Sequence, residues 1–179
     1  LLVAGATAGE ITLNNLNPLS LQADKEILDA LMDAGAEITT ADNLVSVVQK
    51  PLKAFTFDAT DCPDLFPALA TLAAGCDGVS TIIGTDRLLA KESNRAETIA
   101  SEFGKLGINV DISEPNIMKI EGGVPTGGMV DSHGDHRIAM TLAVLALRAT
   151  DEVQIMGAEC VSKSYKDFWK DYEKVVNYE

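Results

Sequence analysis

The spacing of apolar residues along the chain predicts where its helices and strands lie. Apolar residues that recur every three or four positions favour helices, and alternation of apolar and polar residues favours strands. Residues 1–16 indicate the end of a helix followed by a strand. Helices are predicted from Asp24, Asp64, Ser93 or Asn94, Asp135 and Tyr165. Further strands are predicted at 36–40, 44–48 and 79–83, with turns at Asn17-Pro18 and Asp42-Asn43.

These elements recur in the order helix, glycine, strand, strand, which indicates an internal repeat. Three pairs of residues hold equivalent places in that order and lie 71 or 72 positions apart. The pairs are Gly35 and Gly107, Asp64 and Asp135, and Lys91 and Lys163. We therefore predict an α/β fold of the α+β type with about three repeats, the first of them truncated. The starts of equivalent helices are expected to converge on one anion-binding point.

Composition limits the partners of this protein. Asp and Glu (27) outnumber Lys and Arg (14), which gives a formal net charge of −13 at pH 7. Nucleic acids and anionic membranes require a basic face, so neither is expected as a partner. Hydrophobic residues make up 46% of the chain and aromatic residues 5%, which favours one compact domain with an aliphatic core.

Three widely spaced cysteines, Cys62, Cys76 and Cys160, form no C-x-x-C motif. This pattern disfavours a disulfide framework or a thiolate zinc site, and we expect a cytoplasmic protein. Because the chain starts at Leu1, without Met, in what the pattern indicates is the end of a helix, we expect a piece of a longer polypeptide.

The strongest chemical signal is residues 131–140, which contain both histidines of the chain. A metal site is disfavoured because no histidine exists beyond His133 and His136, and because Arg137 would place a cation beside the metal. No metal is therefore expected, and a carboxylate-rich magnesium site is the weaker alternative. Arg137 suits capture of a carboxylate or phosphate, and His136 can lend a proton. His133 is assigned to the structure of the loop.

A second cluster of charge lies at Arg87, Lys91 and Arg95, which are four residues apart. On a helix they would share a face and repel one another, so something must compensate them. Asp86 and Glu92 could do so in a solvated network. An anion is favoured instead, because the run follows a strand ended by glycine and leads into a helix cap.

The remaining candidates are a capping aspartate, a cysteine and three aromatic residues. Asp64 is expected to cap its helix, and Cys62 is not expected to be a nucleophile because no histidine is near it in sequence. Tyr165, Phe168 and Trp169 are expected to face the core of the last helix.

Together these segments resemble the EPSP synthase family, the enolpyruvylshikimate-phosphate synthases. Residues 87–95, R-L-L-A-K-E-S-N-R, are similar to its R-L-R-x-K-E-S-D-R signature, and residues 135–140 match its D-H-R-x-A-M motif. Residues 162–165, S-K-S-Y, are similar to its S-K-S-F/Y segment, and Pro63-Asp64 stands where the family has P-D.

Two positions depart from the family signature. Leu89 replaces an arginine, which removes a charge from the phosphate environment, and Asn94 replaces an aspartate, which changes a cap. The family is implied to have two domains, each of three βαβαββ units with helices inside and sheets outside, an alpha-beta prism. Residues 18–179 would be the C-terminal half, residues 1–17 would lie near the inter-domain crossover, and the N-terminal half would be a missing partner.

The resemblance also implies an activity, 3-phosphoshikimate 1-carboxyvinyltransferase. The enolpyruvyl group of phosphoenolpyruvate passes to the 5-hydroxyl of shikimate 3-phosphate through a tetrahedral intermediate that expels phosphate, and no cofactor is needed. The implied catalytic residues are Asp64, Glu92 and His136. The implied substrate-binding residues are Lys91, on the shikimate side, and Arg95, Arg137 and Lys163 for phosphoenolpyruvate.

Two alternatives remain open. One is an enolpyruvyl transferase of similar fold that acts on a UDP-amino sugar. The lysine-glutamate-serine and S-K-S segments disfavour this alternative. The other is a non-catalytic phosphate-binding module, including the RNA-cyclase-like branch. The acidic composition disfavours RNA, and the intact set of Asp, Glu, Arg and Lys residues disfavours a module without activity.

Overall fold

The computed structural model describes residues 1–17, 20–89 and 91–176. The helices are α1 (Leu2–Ala8), α2 (Ile27–Asp33), α3 (Phe66–Ala74), α4 (Arg95–Lys105), α5 (His136–Ala146) and α6 (Phe168–Val176). The strands are β1 (Glu10–Asn14), β2 (Glu37–Ala41), β3 (Leu44–Val48), β4 (Thr56–Asp58), β5 (Val79–Ile83), β6 (Val110–Asp111), β7 (Ile117–Glu121), β8 (Gly128–Asp131) and β9 (Val153–Met156). Short 3₁₀ helices are Ala23–Glu26, Pro63–Leu65, Thr85–Leu88 and Ala158–Lys163. In these ranges no helix is long and apolar enough to cross a membrane.

The strands form three sheets, one for each predicted repeat. The middle unit runs β4, α3, β5, α4, β6, β7, and its sheet has the order β4-β5-β7-β6 with β4 and β5 parallel. The first sheet, β1-β3-β2, corresponds to the middle one without its first strand. The third sheet is the parallel pair β8-β9, which corresponds to β4-β5. The repeat is confirmed, and within the described ranges its βαβαββ order is complete in the middle unit.

The helices lie inside and the sheets outside, as expected. Helices α1, α3 and α5, one from each unit, contact one another. Helix α3 is apolar on all sides and almost entirely buried, which is the pattern of a helix in a core. The strands bury alternate residues, as in β3, where Val45 and Val47 are buried and their neighbours are partly exposed. This packing brings the starts of α3 and α5 side by side.

A residue in the left-handed conformation follows the equivalent strand of every unit. Gly84 follows β5 with φ 115°, and Gly157 follows β9 with φ 68°. At Gly84 a Cβ atom would also lie 2.9 Å from the backbone nitrogen of Thr60, so a larger residue would clash. Asn15 holds the same place after β1 with φ 63°. The left-handed residue of the first unit was not recognised in the search for an internal repeat, because it is an asparagine and not a glycine.

Several predicted elements begin differently from the expectation. The helix predicted from Asp24 starts as a 3₁₀ turn and continues as α2, and α6 begins three residues after Tyr165. The segment from Pro63 also starts as a 3₁₀ turn, closed by the Phe66 N–H on the Pro63 carbonyl. An α-helical bond to that carbonyl is impossible because residue 67 is proline and has no N–H.

The hairpin of β2 and β3 around Asp42 is confirmed. Pro18, in the other predicted turn, lies outside the described residues. The division of the chain at residue 17 stays a prediction; β1, which precedes it, pairs with β3 in the first sheet.

Candidate active site

Arg95, the first residue of α4, lies at the centre of a cluster of charged side chains. Its side chain is 1% exposed. Its Nε donates to Asp135 at 2.8 Å, Nη1 donates to Asp64 at 2.9 Å, and Nη2 donates to Glu92 at 2.7 Å. Carboxylates from two consecutive repeats therefore meet on one guanidinium. A buried cation requires such partners, because an unpaired one would cost several kcal/mol.

Asp64 occupies the solvent side of this cluster, with 38% of its side chain exposed. Besides Arg95, its carboxylate accepts from Lys91 Nζ at 3.1 Å and from Arg137 Nη2 at 3.1 Å. The other arm of Arg137 donates to the Asp64 carbonyl at 3.3 Å. Three cations thus surround one accessible carboxylate, and an incoming anion would meet the same cations.

Asp135 occupies the buried side and is 0% exposed. It is the N-cap of α5, where its carboxylate accepts from the Arg137 N–H at 2.9 Å, so its predicted place at a helix start is confirmed. Ser93 Oγ also donates to it at 3.3 Å. Asp135 therefore connects the side chain of Arg95 to the helix that carries Arg137.

The electrostatics of the cluster favour its charged forms. Burial alone would raise the pKa of Asp64, but Lys91, Arg137 and Arg95 outweigh it and hold the pKa below its ordinary value. Burial likewise acts against ionised Asp135, yet Arg95 and backbone N–H groups keep its pKa lowered. For Arg95, burial would lower the pKa, and Asp135 and Asp64 raise it instead. At neutral pH Asp64, Asp135 and Arg95 are therefore charged.

The remaining predicted residues lie around this cluster. Lys163 Nζ donates at 2.9 Å to the carbonyl of Gly134, the residue directly before Asp135. His136 begins α5, and its buried Nδ1 has no hydrogen-bond partner among the residues that the structure describes. The same ranges hold no group of three side chains placed to bind a metal ion. The cluster thus brings together Asp64, Lys91, Glu92, Arg95 and Arg137, with Lys163 and His136 on the neighbouring loop and helix.

The expectation that Asp64 caps its helix was wrong, and the expected cap at Ser93 or Asn94 is confirmed in position only. Asp64 lies within the 3₁₀ turn that follows Cys62, and its carboxylate oxygens bond the three cations. Asn94 stands at the N-cap of α4 but makes no capping bond, and its buried Oδ1 is without a partner in the described ranges. Ser93 donates to Asp135 instead.

Arg87, Lys91 and Arg95 do not lie on one helix, so the face that they would share on a helix does not form. Arg87 belongs to a short 3₁₀ helix and is exposed, whereas Arg95 starts a separate helix and is buried. Carboxylates that are distant in sequence neutralise Arg95 together with Glu92.

The expectation for the cysteine agrees with the structure, and that for the aromatic residues is fully met only by Phe168. Cys62 is buried, and burial together with Glu26 raises the pKa of its thiol to about 12, which makes it a poor nucleophile. Phe168 is buried, and its ring contacts Tyr165 and Trp169 edge to face. Tyr165 and Trp169 are only partly buried, and Tyr165 precedes α6.

Sequence reasoning missed Glu102. Its carboxylate is buried and bonded to the 131–135 loop. The available signal was its position seven residues after Arg95, which places both side chains on one face of α4.

Comparison with known proteins identifies the family. The protein-family model of EPSP synthase (3-phosphoshikimate 1-carboxyvinyltransferase) matches residues 1–172. The chain belongs to the EPSP synthase family. The resemblance inferred from four short motifs is therefore confirmed over nearly the whole chain.

Curated relatives named 3-phosphoshikimate 1-carboxyvinyltransferase match almost the whole of this chain. The 3-phosphoshikimate 1-carboxyvinyltransferase of Dehalococcoides mccartyi is 42% identical over 174 residues, covering 97% of this chain and 41% of the relative. The protein of the same name from Pyrococcus abyssi is 40% identical over 176 residues, covering 98% of this chain and 42% of the relative. The chain thus spans about two-fifths of the length of the curated relatives it matches.

Solved structures agree with this membership of the EPSP synthase family. EPSP synthase from Acinetobacter baumannii superposes with a TM-score of 0.84 at 25% identity, over 97% of this chain and 43% of that one. The enolpyruvyl transferase NikO from Streptomyces tendae gives a TM-score of 0.74 at 20% identity, over 97% of this chain and 40% of the other. The predicted α/β enolpyruvyl transferase fold is confirmed.

Proposed function

We propose that the polypeptide carrying this chain transfers the enolpyruvyl group of phosphoenolpyruvate to the 5-hydroxyl of shikimate 3-phosphate and releases phosphate. Membership of the EPSP synthase family supports this activity. The observation that carries it is the ring of Lys91, Arg95 and Arg137 around the half-exposed carboxylate of Asp64. Both substrates are multiply anionic, so several cations are needed to hold them together.

The two candidate acid/base groups lie next to each other. Nη1 of Arg95 holds Asp64 and Nη2 holds Glu92, so one guanidinium fixes the spacing of both carboxylates. In the proposed reaction Asp64 orients and helps deprotonate the attacking hydroxyl. Glu92 acts as acid and base near the enol carbon. Proton transfer by a carboxylate positioned in this way can accelerate the reaction.

The cations divide between the two substrates. Lys91 binds shikimate 3-phosphate, and Arg95, Arg137 and Lys163 bind phosphoenolpyruvate, while His136 supports the departing phosphate. Arg137 is 32% exposed and can reach a ligand directly. Arg95 is saturated by carboxylates, so it contacts phosphoenolpyruvate only after exchanging one of them for the ligand. Its bonds to three carboxylates make it the least accessible of these cations.

We also propose that the rest of the enzyme completes the site. The chain spans about two-fifths of the length of its relatives. Where the middle unit has four strands, the described residues of the first unit form three and those of the third unit two. The cytoplasm is the proposed location, in keeping with a biosynthetic enzyme of phosphorylated metabolites. On this basis the 179 residues alone bind ligands weakly and give no turnover.

The test is phosphate release from phosphoenolpyruvate and shikimate 3-phosphate by the complete polypeptide. Charged hydrogen bonds contribute about 1.5–3 kcal/mol, so Lys91→Ala and Arg137→Ala should each lower kcat/KM by about tenfold or more. Lys91→Ala should act mainly on the KM for shikimate 3-phosphate, and Arg137→Ala on that for phosphoenolpyruvate.

Lys50→Ala is the matched control, because Lys50 forms an exposed ion pair with Glu37 in the first sheet. Its kinetic constants should match those of the unmodified enzyme. Unchanged kinetics for Lys91→Ala and Arg137→Ala would overturn the site assignment. Calorimetric titration of the isolated chain tests the other half of the proposal, and turnover by the 179 residues alone would contradict it.

A further inference from the structure

Glu102 is a buried carboxylate on α4 that the proposed chemistry does not use. Its side chain is 1% exposed. Lys105 Nζ lies 2.8 and 2.7 Å from its two oxygens, and His133 Nε2 lies 2.9 Å from Oε1. The backbone N–H of Asp131 donates to Oε2 at 2.8 Å. Both carboxylate oxygens are therefore engaged, and two of the partners belong to the loop that precedes α5.

The 131–135 loop is held to α4 at two points. At its beginning Asp131 and His133 contact Glu102, and at its end Asp135 contacts Arg95. Arg95 and Glu102 are seven residues apart, so they lie on one face of the helix, two turns from each other. An anionic and a cationic side chain of α4 thus hold opposite ends of one loop.

The backbone of the loop is strained at His133, and contacts on both sides hold the loop in place. Besides the contacts with α4, Ser132 donates through its N–H to the Met156 carbonyl and through its Oγ to the Gly157 carbonyl, each at 3.0 Å. His133 has φ 52° and Gly134 has φ 69°, so two consecutive residues are in the left-handed region. A residue with a Cβ atom adopts this conformation at a cost. Within the loop, Asp131 accepts from the His133 N–H at 2.7 Å, which stabilises the turn without fixing where it lies on α4.

The position of the loop decides where the binding groups lie. Gly134 presents its carbonyl to Lys163 Nζ at 2.9 Å, and Asp135 caps the helix that begins with His136 and Arg137. A shift of the loop would therefore move Lys163 and Arg137 together. Lys91 contacts Asp64 on the other side of the cluster and would be affected less.

We infer that Glu102 is a positioning residue, which fixes the 131–135 loop on α4 so that Arg137 and Lys163 lie where phosphoenolpyruvate binds. This inference rests on the proposed function. Burial would raise the pKa of Glu102, but His133, Lys105 and the Asp131 N–H hold it below its ordinary value, so the carboxylate is ionised at neutral pH. Glu102 acts through the position of the 131–135 loop and does not contact the substrate.

The experiment compares Glu102→Ala with Glu102→Gln in the complete polypeptide. A displacement of about 1 Å at a site can cost a hundredfold, so Glu102→Ala should raise the KM for phosphoenolpyruvate at least about tenfold. The KM for shikimate 3-phosphate should change less than about twofold, since Lys91 keeps its partner. Glu102→Gln should restore most of the loss, because an amide oxygen still accepts from the Asp131 N–H.

Glu97→Ala is the control, since Glu97 is an exposed carboxylate on the same helix and its removal changes the charge equally. It should leave both KM values unchanged. A purely structural role for Glu102 would lower the Tm of Glu102→Ala and leave both KM values of the folded enzyme intact. That result would overturn the inference.

Amide hydrogen exchange separates this inference from the proposed function. The exchange of the Asp131 and Asp135 amides should be faster in Glu102→Ala and close to normal in Glu102→Gln, whatever reaction the enzyme catalyses. If Glu102→Ala does not fold, His133→Ala removes one exposed contact, and it should speed the same two amides. Unchanged exchange in the folded variants would overturn the inference even if the proposed activity is found.

Discussion

Asp64 and Asp135 hold equivalent places in two consecutive repeats, yet their surroundings differ. Asp64 has 38% of its side chain exposed and contacts Lys91, Arg95 and Arg137. Asp135 is fully buried, caps α5 and holds the Nε of Arg95. A repeat therefore fixes where a carboxylate lies, and its neighbours decide whether it is available to a ligand or serves the structure.

The lysines of the same repeats preserve the symmetry more closely. Lys91 reaches the Asp64 carboxylate, at the helix start of its own unit. Lys163 reaches the carbonyl of Gly134, beside the helix start of the third unit. Each lysine thus contacts the start of the helix that precedes it in its own unit. The departure from symmetry lies in Arg95, which belongs to the middle unit and bonds the aspartates of both.

The largest expected effect is on stability, from Asp135→Ala. The substitution leaves the buried charge of Arg95 without its Nε partner and removes the cap of α5. Breaking a buried ion pair typically costs about 3–5 kcal/mol, so the free energy of unfolding should fall by about that amount. Urea denaturation of the chain measures it.

Glu37→Ala is the matched control for this comparison. It breaks an exposed ion pair with Lys50, and such pairs contribute at most about 1 kcal/mol. If Asp135→Ala destabilised the chain no more than Glu37→Ala, the structural role of Asp135 would be refuted.

The sequence was enough to predict the repeat and the convergence of its helix starts. Spacings of 71 and 72 residues paired Asp64 with Asp135, and glycines marked the ends of strands and helices. Asn15 was missed because the left-handed conformation can be taken by asparagine as well as glycine. Local patterns therefore located the units but not every copy of their markers.

The contacts between units could not be predicted from local patterns. The expected cap at Asp64 follows from its neighbours in sequence, whereas its observed partners include Arg137, 73 residues away. A glutamate on a helix is usually exposed to solvent, as its sequence neighbours would predict for Glu102. Glu102 is buried because the 131–135 loop covers it. Whether a charged residue is exposed or paired depends on packing, which a single helix does not encode.

The next largest effect is on catalysis, from Asp64→Asn. The amide keeps the size of the side chain and an acceptor for Lys91 or Arg137, but it cannot take a proton. General acid and base groups contribute about a hundredfold or more, so kcat for the proposed transfer should fall by at least that factor. The free energy of unfolding should change by less than about 1 kcal/mol, because the carboxylate is partly exposed.

Steady-state kinetics and urea denaturation of the same variant test both statements. A variant that keeps full kcat would show that Asp64 serves only the ion pairs. One that loses as much stability as Asp135→Ala would remove the difference between the two aspartates.

The smallest effect is the dependence of stability on pH. The pKa values of Asp135 and Asp64 are lowered in the folded chain, so their contribution is complete above the ordinary pKa of about 4 and is lost as pH falls through the folded values. Stability should therefore decrease below about pH 4, and Asp135→Asn and Asp64→Asn should each flatten the profile in that range. Urea denaturation at a series of pH values between neutral and acidic conditions measures the flattening. A profile that one of the substitutions leaves unchanged would show that the pKa of that aspartate does not move on folding, since linkage depends only on how far each pKa moves.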